Sequence, residues 1–437
     1  MSPNVVRLGN DDLDAQEGDR VDDALDLPSR RKLESWLAAL LQSEHLALLT
    51  GNGLSLGVGN VAGAIPPAMS QPMAAGEVTP AIRAHAKKSA DLIGRDANIE
   101  DEIRSALALA EGYDVLGDTA NRDAILESVD VVMKGLIADV LAFERALSTS
   151  VDNRTPKALE AQRLLHRFLL PFASRAVGRD RLSLFTTNYD RLLEFAADQL
   201  GLRLIDRFVG ALQPVFNASR LDIDMHYSPP GIRGEPRYLE GVARIGKLHG
   251  SLDWRAKDKS IVKTSLPFGA MDNHPALPLR PSESVIIYPN PAKDVETLAF
   301  PYAEMFRDFA AAICRPNAVL VTYGYGFGDS HINRVIADML TIPSTHLVTI
   351  SYGQIKGLET FTNHYPMNQT TELIGEAIGR LDNLVDVLPA LASSALLDRQ
   401  LQHADVDSRI RAAVGDTMSA EATSASLQEI ESNDYAN

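Results

Sequence analysis

The chain has 437 residues, 45% of them apolar and 23% charged, with a formal net charge of −16. That length can bury a large core and more than one structural unit, while the acidic balance argues against a general nucleic-acid surface, which needs clustered Lys and Arg. The single cysteine, Cys314, excludes an internal disulfide and a cysteine-built zinc cage, and with no long apolar run and no signal pattern we expect a cytoplasmic protein.

In chain order, residues 1–29 are rich in Asp and Gly and poor in large apolar side chains, which predicts a flexible acidic tail. Helical spacing begins at residues 31–42. Residues 46–49 read as a short buried strand that opens onto Gly51-Asn52-Gly53-Leu54-Ser55. A glycine-rich turn lets backbone N–H groups converge on a phosphate with no Cβ in the way. The next glycine, Gly57, arrives one position late for the dinucleotide fingerprint, and no P-loop lysine follows. A helix-packing turn is the competing reading, but Gly51, Gly53, Gly57, Gly59 and Gly63 exceed what packing requires. Ser55 could then give its hydroxyl to a diphosphate. Residues 62–80, with Pro66, Pro67, Pro72 and Pro80, predict an irregular loop or lid beside this turn. From about 79 to 147 the apolar residues, among them Ile103, Leu107, Val132, Leu136 and Val140, keep helical spacing, which predicts an inserted helical subdomain.

Residues 156–176 read as a helix kinked at Pro171. A strand at 182–185 leads into Thr186-Thr187-Asn188-Tyr189-Asp190. Asn188 offers a donor and an acceptor for a ribose hydroxyl, a carboxamide or a water. Asp190 equally suits a helix cap, a duty for which Asn188 lies two residues too early. A strand at 242–248 delivers His249 before Gly250 and Ser251. Any one of ten histidines is usually a satisfied core or surface residue, yet one at a strand's carboxyl end can reach a crevice and act as a general base. Trp254 reads as packing. After a strand at 285–288 and a helix at 302–312, the strand 318–323 opens onto a second glycine turn, Gly324-Tyr325-Gly326-Phe327-Gly328-Asp329. Asp329 or Ser330 would cap the helix 331–340. Asp329 and His331 lack a third ligand, so no metal is expected. Strands at 347–350 and 384–388 follow, and residues 396–437 predict a helix and a flexible tail. The alternation predicts an α/β fold: a Rossmann-like parallel sheet flanked by helices, spanning 30–395, with ligands at the strand ends.

With these blocks in place, the chain resembles the sirtuin-like NADases of bacterial anti-phage defence systems. The resemblance spans roughly residues 31–390 and includes Asn98-Ile99-Glu100-Asp101, Tyr288-Pro289, Pro301-Tyr302 and Gly324 through Asn333. It implies NAD as substrate, with the diphosphate on Gly51, Asn52, Gly53 and Ser55 and the nicotinamide ribose facing Thr187, Asn188 and Asp190. It implies catalysis by Asn188 and His249, and adenosine-side contacts from Gly324, Tyr325, Gly326 and Asp329. Deacylating sirtuins carry a four-cysteine zinc module that this chain cannot build. Their Ile-Pro-x-Phe-Arg segment is reduced here to Ile65-Pro66, followed by Pro67-Ala68-Met69. The expected activity is therefore NAD hydrolysis to nicotinamide and ADP-ribose, in a homo-oligomer, with a HerA-type ATPase partner implied by the resemblance alone. Two other readings stay open on the residues: a non-catalytic NAD or ADP-ribose sensor, and an assembly subunit of a defence complex. A general base at His249 would be idle in a pure sensor.

Overall fold

The computed structural model describes residues 3–66, 73–92, 96–175, 179–218, 223–228, 237–257, 260–287, 301–354, 357–358 and 364–389. The expected strand end at Tyr288-Pro289, the residues 67–72 of the proline-rich loop and the C-terminal segment 396–437 lie outside them. A nine-stranded sheet organises the chain. Its strands are β1 (Val5–Leu8), β2 (Asp11–Leu13), β3 (His45–Thr50), β4 (Leu182–Thr186), β5 (Arg203–Ile205), β6 (Val242–Lys247), β7 (Ala318–Tyr323), β8 (His346–Ser351) and β9 (Thr370–Ile374). They lie in the order β2-β1-β9-β8-β7-β3-β4-β6-β5. From β9 to β5 every pairing is parallel; β1 and β2 add an antiparallel edge. Every residue of β4 and β7 is buried, as befits central parallel strands covered on both faces. The α/β fold, with a mostly parallel sheet flanked by helices, is the one the alternation predicts.

Two local expectations give way, and one strand was not foreseen. Residues 3–29 do not form a flexible tail among the described residues: Val6 and Leu8 are buried while Arg7 pairs with Asp12 and Glu372. Strand β1, between β9 and the edge strand β2, buries alternate residues on one face only, so two buried side chains sufficed where composition suggested too few. Strand β9 begins Thr370-Thr371-Glu372 and shows no apolar run, yet Thr371 is buried because Trp36 Nε1 and His346 Nε2 both meet its hydroxyl. Residues 384–388, read as a strand, fall mostly in the helix Leu381–Val387, which buries Leu381, Leu384 and Val385 at helical spacing.

The helices that place the site are α1 (Leu27–Leu41), α2 (Asn52–Ala62), α3 (Thr79–Asp91), α4 (Ile99–Val115), α5 (Thr119–Asp152), α6 (Pro156–Ala173), α7 (Leu192–Leu200), α8 (Tyr302–Ile313) and α9 (Ser330–Leu340). Pro171 falls in the last turn of α6, two residues before the helix ends. The inserted α3, α4 and α5 pack on one another around Ile103, Val129, Leu136 and Val140, and the same cluster reaches Tyr189 and Leu252. The insertion thus has a core of its own that touches the segments following β4 and β6. A second, five-stranded sheet contains Gly250–Lys257 and Val285–Ile287, so the strand expected at 285–288 belongs there rather than to the main sheet. Trp254 is buried against Phe208 and Phe216, at ring separations of 5.0 and 6.3 Å.

Candidate functional site

Strands β7, β3, β4 and β6 are neighbours, and their last residues are level: Tyr323 pairs with Thr50, Thr50 with Thr186 and Thr186 with Lys247. Each ladder runs one bond past the strand. Gly51 N–H donates to Tyr323 O, Thr187 N–H to Thr50 O and Leu248 N–H to Thr186 O. The four sequence blocks therefore emerge side by side at one sheet edge. Around them lies a cavity of about 430 Å³, within the usual range of small-molecule sites. It is lined by Gly51, Asn52, Gly53, Thr187, His249, Gly324, Tyr325, Gly326 and Asp329, all expected from the sequence. It is also lined by Asn98, Glu100, Tyr323, Ser351, Tyr352 and Gly379, to which the sequence assigned no role.

The two glycine turns meet backbone to backbone. A Cβ on Gly51 would stand 2.5 Å from Gly324 O, and one on Gly53 would stand 2.5 Å from Gly324 Cα. Gly324 itself has φ +61°, the left-handed region. Gly53 N–H is taken by Gly324 O at 3.1 Å. Asn52 opens α2, so its N–H has no intrahelical acceptor and faces the end of the helix where anions bind.

His249 and Asp329 form a pair, Nε2 to Oδ2 at 2.9 Å, with side chains 12% and 8% exposed. A carboxylate only accepts hydrogen bonds, so Nε2 carries a proton, and the neutral form of the ring has its lone pair on Nδ1. The other oxygen of Asp329 accepts from His331 N–H and Ile332 N–H and caps α9. The carboxylate that stops the second glycine turn thus also orients the histidine 80 residues away. The N-cap duty was legible from sequence; the pairing with His249 was not. Tyr325, expected on the adenosine side, is buried and sends its hydroxyl to Asn333 Oδ1 at 3.0 Å, while Asn333 Nδ2 donates to Phe327 O. Asn333 thereby fixes the turn, a role the sequence reading missed.

Asn188, Ser55 and Asp190 sit beneath the cavity rather than on its wall. Asn188 Nδ2 donates to Gly51 O at 3.1 Å and to Ser55 Oγ at 3.0 Å, and Ser55 Oγ donates to Asp190 Oδ2 at 2.7 Å. Ser55 is wholly buried, so its one proton serves Asp190 and not a diphosphate. Asp190 Oδ1 accepts from Leu192 N–H, at the start of α7. Asn188 retains Oδ1, which accepts no hydrogen bond among the described residues. Buried Lys247 reaches Asp190 O and pairs with Glu194 at 3.2 Å, tying the end of β6 to the same loop. From the insertion, Glu100 Oε1 accepts the Tyr189 hydroxyl at 2.8 Å, and burial with the nearby carboxylate holds that phenol well above its usual range.

A family model of the SIR2-like domain matches residues 182–364. Over these residues the chain is similar to that domain. Such domains are in general NAD-dependent enzymes. No curated protein matches the chain. The matched stretch holds Asn188, His249 and Asp329, and the fold brings β3 and its glycine turn, outside that stretch, between β4 and β7. Among the described residues no three His, Cys, Asp or Glu side chains group in a way that could hold a metal, and no helix is long and apolar enough to cross a membrane.

Proposed function

We propose that the protein is an NAD glycohydrolase, breaking the bond between nicotinamide and ribose C1′ to leave nicotinamide and ADP-ribose. The observation that carries this reading is the His249–Asp329 pair on the wall of a cavity edged by two glycine turns. Nicotinamide leaves as a neutral group from a cationic substrate, so little acid catalysis is needed on that side. The protein's tasks are to hold the ribose, to stabilise positive charge building at C1′ and to deliver water. His249 Nδ1 takes the proton from the attacking water while Asp329 stabilises the imidazolium that forms. Water oxygen bonds to C1′ as the C1′–N bond breaks, and the net proton is released from His249 to solvent. Asn188 acts from beneath the cavity, holding the Gly51 carbonyl and with it the turn against which the ribose and the attacking water are placed. Asn52 N–H and the start of α2 hold the diphosphate, and Gly324 to Gly326 border the adenosine side. Ser55 and Asp190 position Asn188.

Incubating the purified chain with NAD and following nicotinamide release tests the reading, alone and with proteins encoded beside it. Wild type should release nicotinamide and ADP-ribose in equal amounts, and His249→Ala should not. No release under either condition would overturn it. The anti-phage role and a HerA-type ATPase partner are parts of the same proposal and rest on the family resemblance, while a homo-oligomer rests on the apolar helices of the 79–147 insertion and on the need to restrain NAD hydrolysis. Light scattering on the purified protein tests the homo-oligomer, which a strictly monomeric mass at micromolar concentration would exclude.

A further inference from the structure

A second cleft, of about 350 Å³, opens at the other end of the strands that carry the site. Its walls include Arg181 and Ser183 at the start of β4, Arg244 and Gly246 on β6, and Asp308 and Ala312 on α8. Thr187 lies six residues further along from Arg181, so this cleft sits about 20 Å from the glycine turns. No part of the mechanism above uses it.

The cleft is basic in a chain that is strongly acidic. Five arginines and four aspartates line it, against a formal charge of −16 for the whole protein. The aspartates are already matched: Asp224 by Arg181 at 3.1 Å, Asp308 by Arg207, Asp206 by Lys263 at 2.5 Å and Asp180 by Arg315 at 2.9 Å. Arg244 adds a second, longer contact to Asp224 at 3.3 Å, and its Nε is buried with no hydrogen-bond partner among the described residues. Arg179 is exposed and makes no ion pair among the described residues. Arg179, and Arg244 beyond the contact it shares on Asp224, therefore keep donors in planar forks suited to phosphate oxygens. Phe185, Ile205 and Ile245 supply an apolar wall beside them.

We propose that this cleft binds an organic phosphate, with the phosphate on Arg179 and Arg244 and an apolar or planar body against Phe185 and Ile205. Titration calorimetry on the full chain at low salt tests it, with adenosine 5′-monophosphate and inorganic phosphate as probes. Adenosine 5′-monophosphate should bind more tightly than inorganic phosphate, and Arg179→Gln should weaken both by several-fold. The double variant Arg179→Gln/Arg244→Gln should weaken them at least tenfold. Arg179 is exposed, so its single variant should keep the wild-type unfolding midpoint and remains informative if the double variant fails to fold. Asn52→Pro, which removes the N–H at the glycine turn, should leave this binding in place. Affinity unchanged in Arg179→Gln, or lost in Asn52→Pro with a wild-type unfolding midpoint, would place the probes at the glycine turn and overturn the proposal. Equal affinity for the two probes would overturn the apolar contact, and no binding to wild type would overturn the whole.

Discussion

At His249 the geometry distinguishes the two ring nitrogens: Asp329 holds Nε2, and in the proposed reaction Nδ1 is the one that takes the proton. Replacing His249 by Ala should lower nicotinamide release by ~10²–10⁴-fold with little change in NAD affinity, since a general base acts mainly on the transition state. Asp329→Asn should lower the rate as well, because a neutral amide cannot stabilise the imidazolium; single-turnover kinetics beside a binding titration would separate the two effects. Ser55 offers a sharper test, because its hydroxyl lies within the chain Asn188–Ser55–Asp190 and faces no ligand. Ser55→Ala strips Asp190 Oδ2 of its donor and should cost about 1–3 kcal/mol of stability. It should also slow turnover through Asn188 while diphosphate affinity stays near wild type. A large loss of affinity for ADP-ribose with unchanged turnover would instead return Ser55 to the diphosphate.

Among the elements, a buried ion pair joins the insertion to the loop after β4, in addition to the contact of Glu100 with Tyr189. Glu144 of α5, with no exposure, accepts from the Arg191 backbone and guanidinium and from Gly269 N–H. Arg191 also donates to Leu266 O and Pro267 O. Glu144→Ala would leave Arg191 charged and unpaired in the interior, so we expect a loss of about 3–5 kcal/mol in denaturant unfolding. Nicotinamide release should fall with it, because Arg191 directly follows Asp190. The element scale also shows what a single chain of letters conveys. Each of the four blocks was legible because it is a local pattern, an apolar run handed to Gly, Asn or His. That their strand ends are level could not be read, since register is set by pairings between residues such as Thr50 and Thr186, far apart in the chain. The link from Asp329 to His249 was hidden for the same reason. Strands β1 and β9 escaped notice because threonine and arginine occupy positions where only the fold supplies partners.

For the molecule as a whole, acid stability has an identifiable contributor at the sheet's centre-to-edge boundary. His346 opens β8, packs edge-on against Trp36 at 5.9 Å and meets the Thr371 hydroxyl at 2.8 Å. Burial depresses this imidazole from its ordinary 6.5 to about 4. Between those values the unfolded chain takes up a proton that the folded chain refuses, so stability is full above pH 6.5 and falls as pH drops toward 4. The loss amounts to about 2–3 kcal/mol. Unfolding midpoints from pH 7 to pH 4.5 should therefore decline less steeply in His346→Gln than in wild type; parallel curves would assign the acid sensitivity elsewhere.

The contact of Gly51 and Gly53 with Gly324 has a consequence for how this protein can change over generations. Most crowded positions tolerate an added methyl if the opposing residue shrinks in return. Here both opposing residues are already the smallest the genetic code provides, so no compensating exchange exists. A side chain at any of the three must push β3 and β7 apart or shift a turn, and with it the halves of one cavity. Variation in any lineage carrying this arrangement should accordingly bypass these three positions and accumulate on the walls around them, at Leu56, Ser351 and Tyr352, where ligand preference can drift without disturbing the seam.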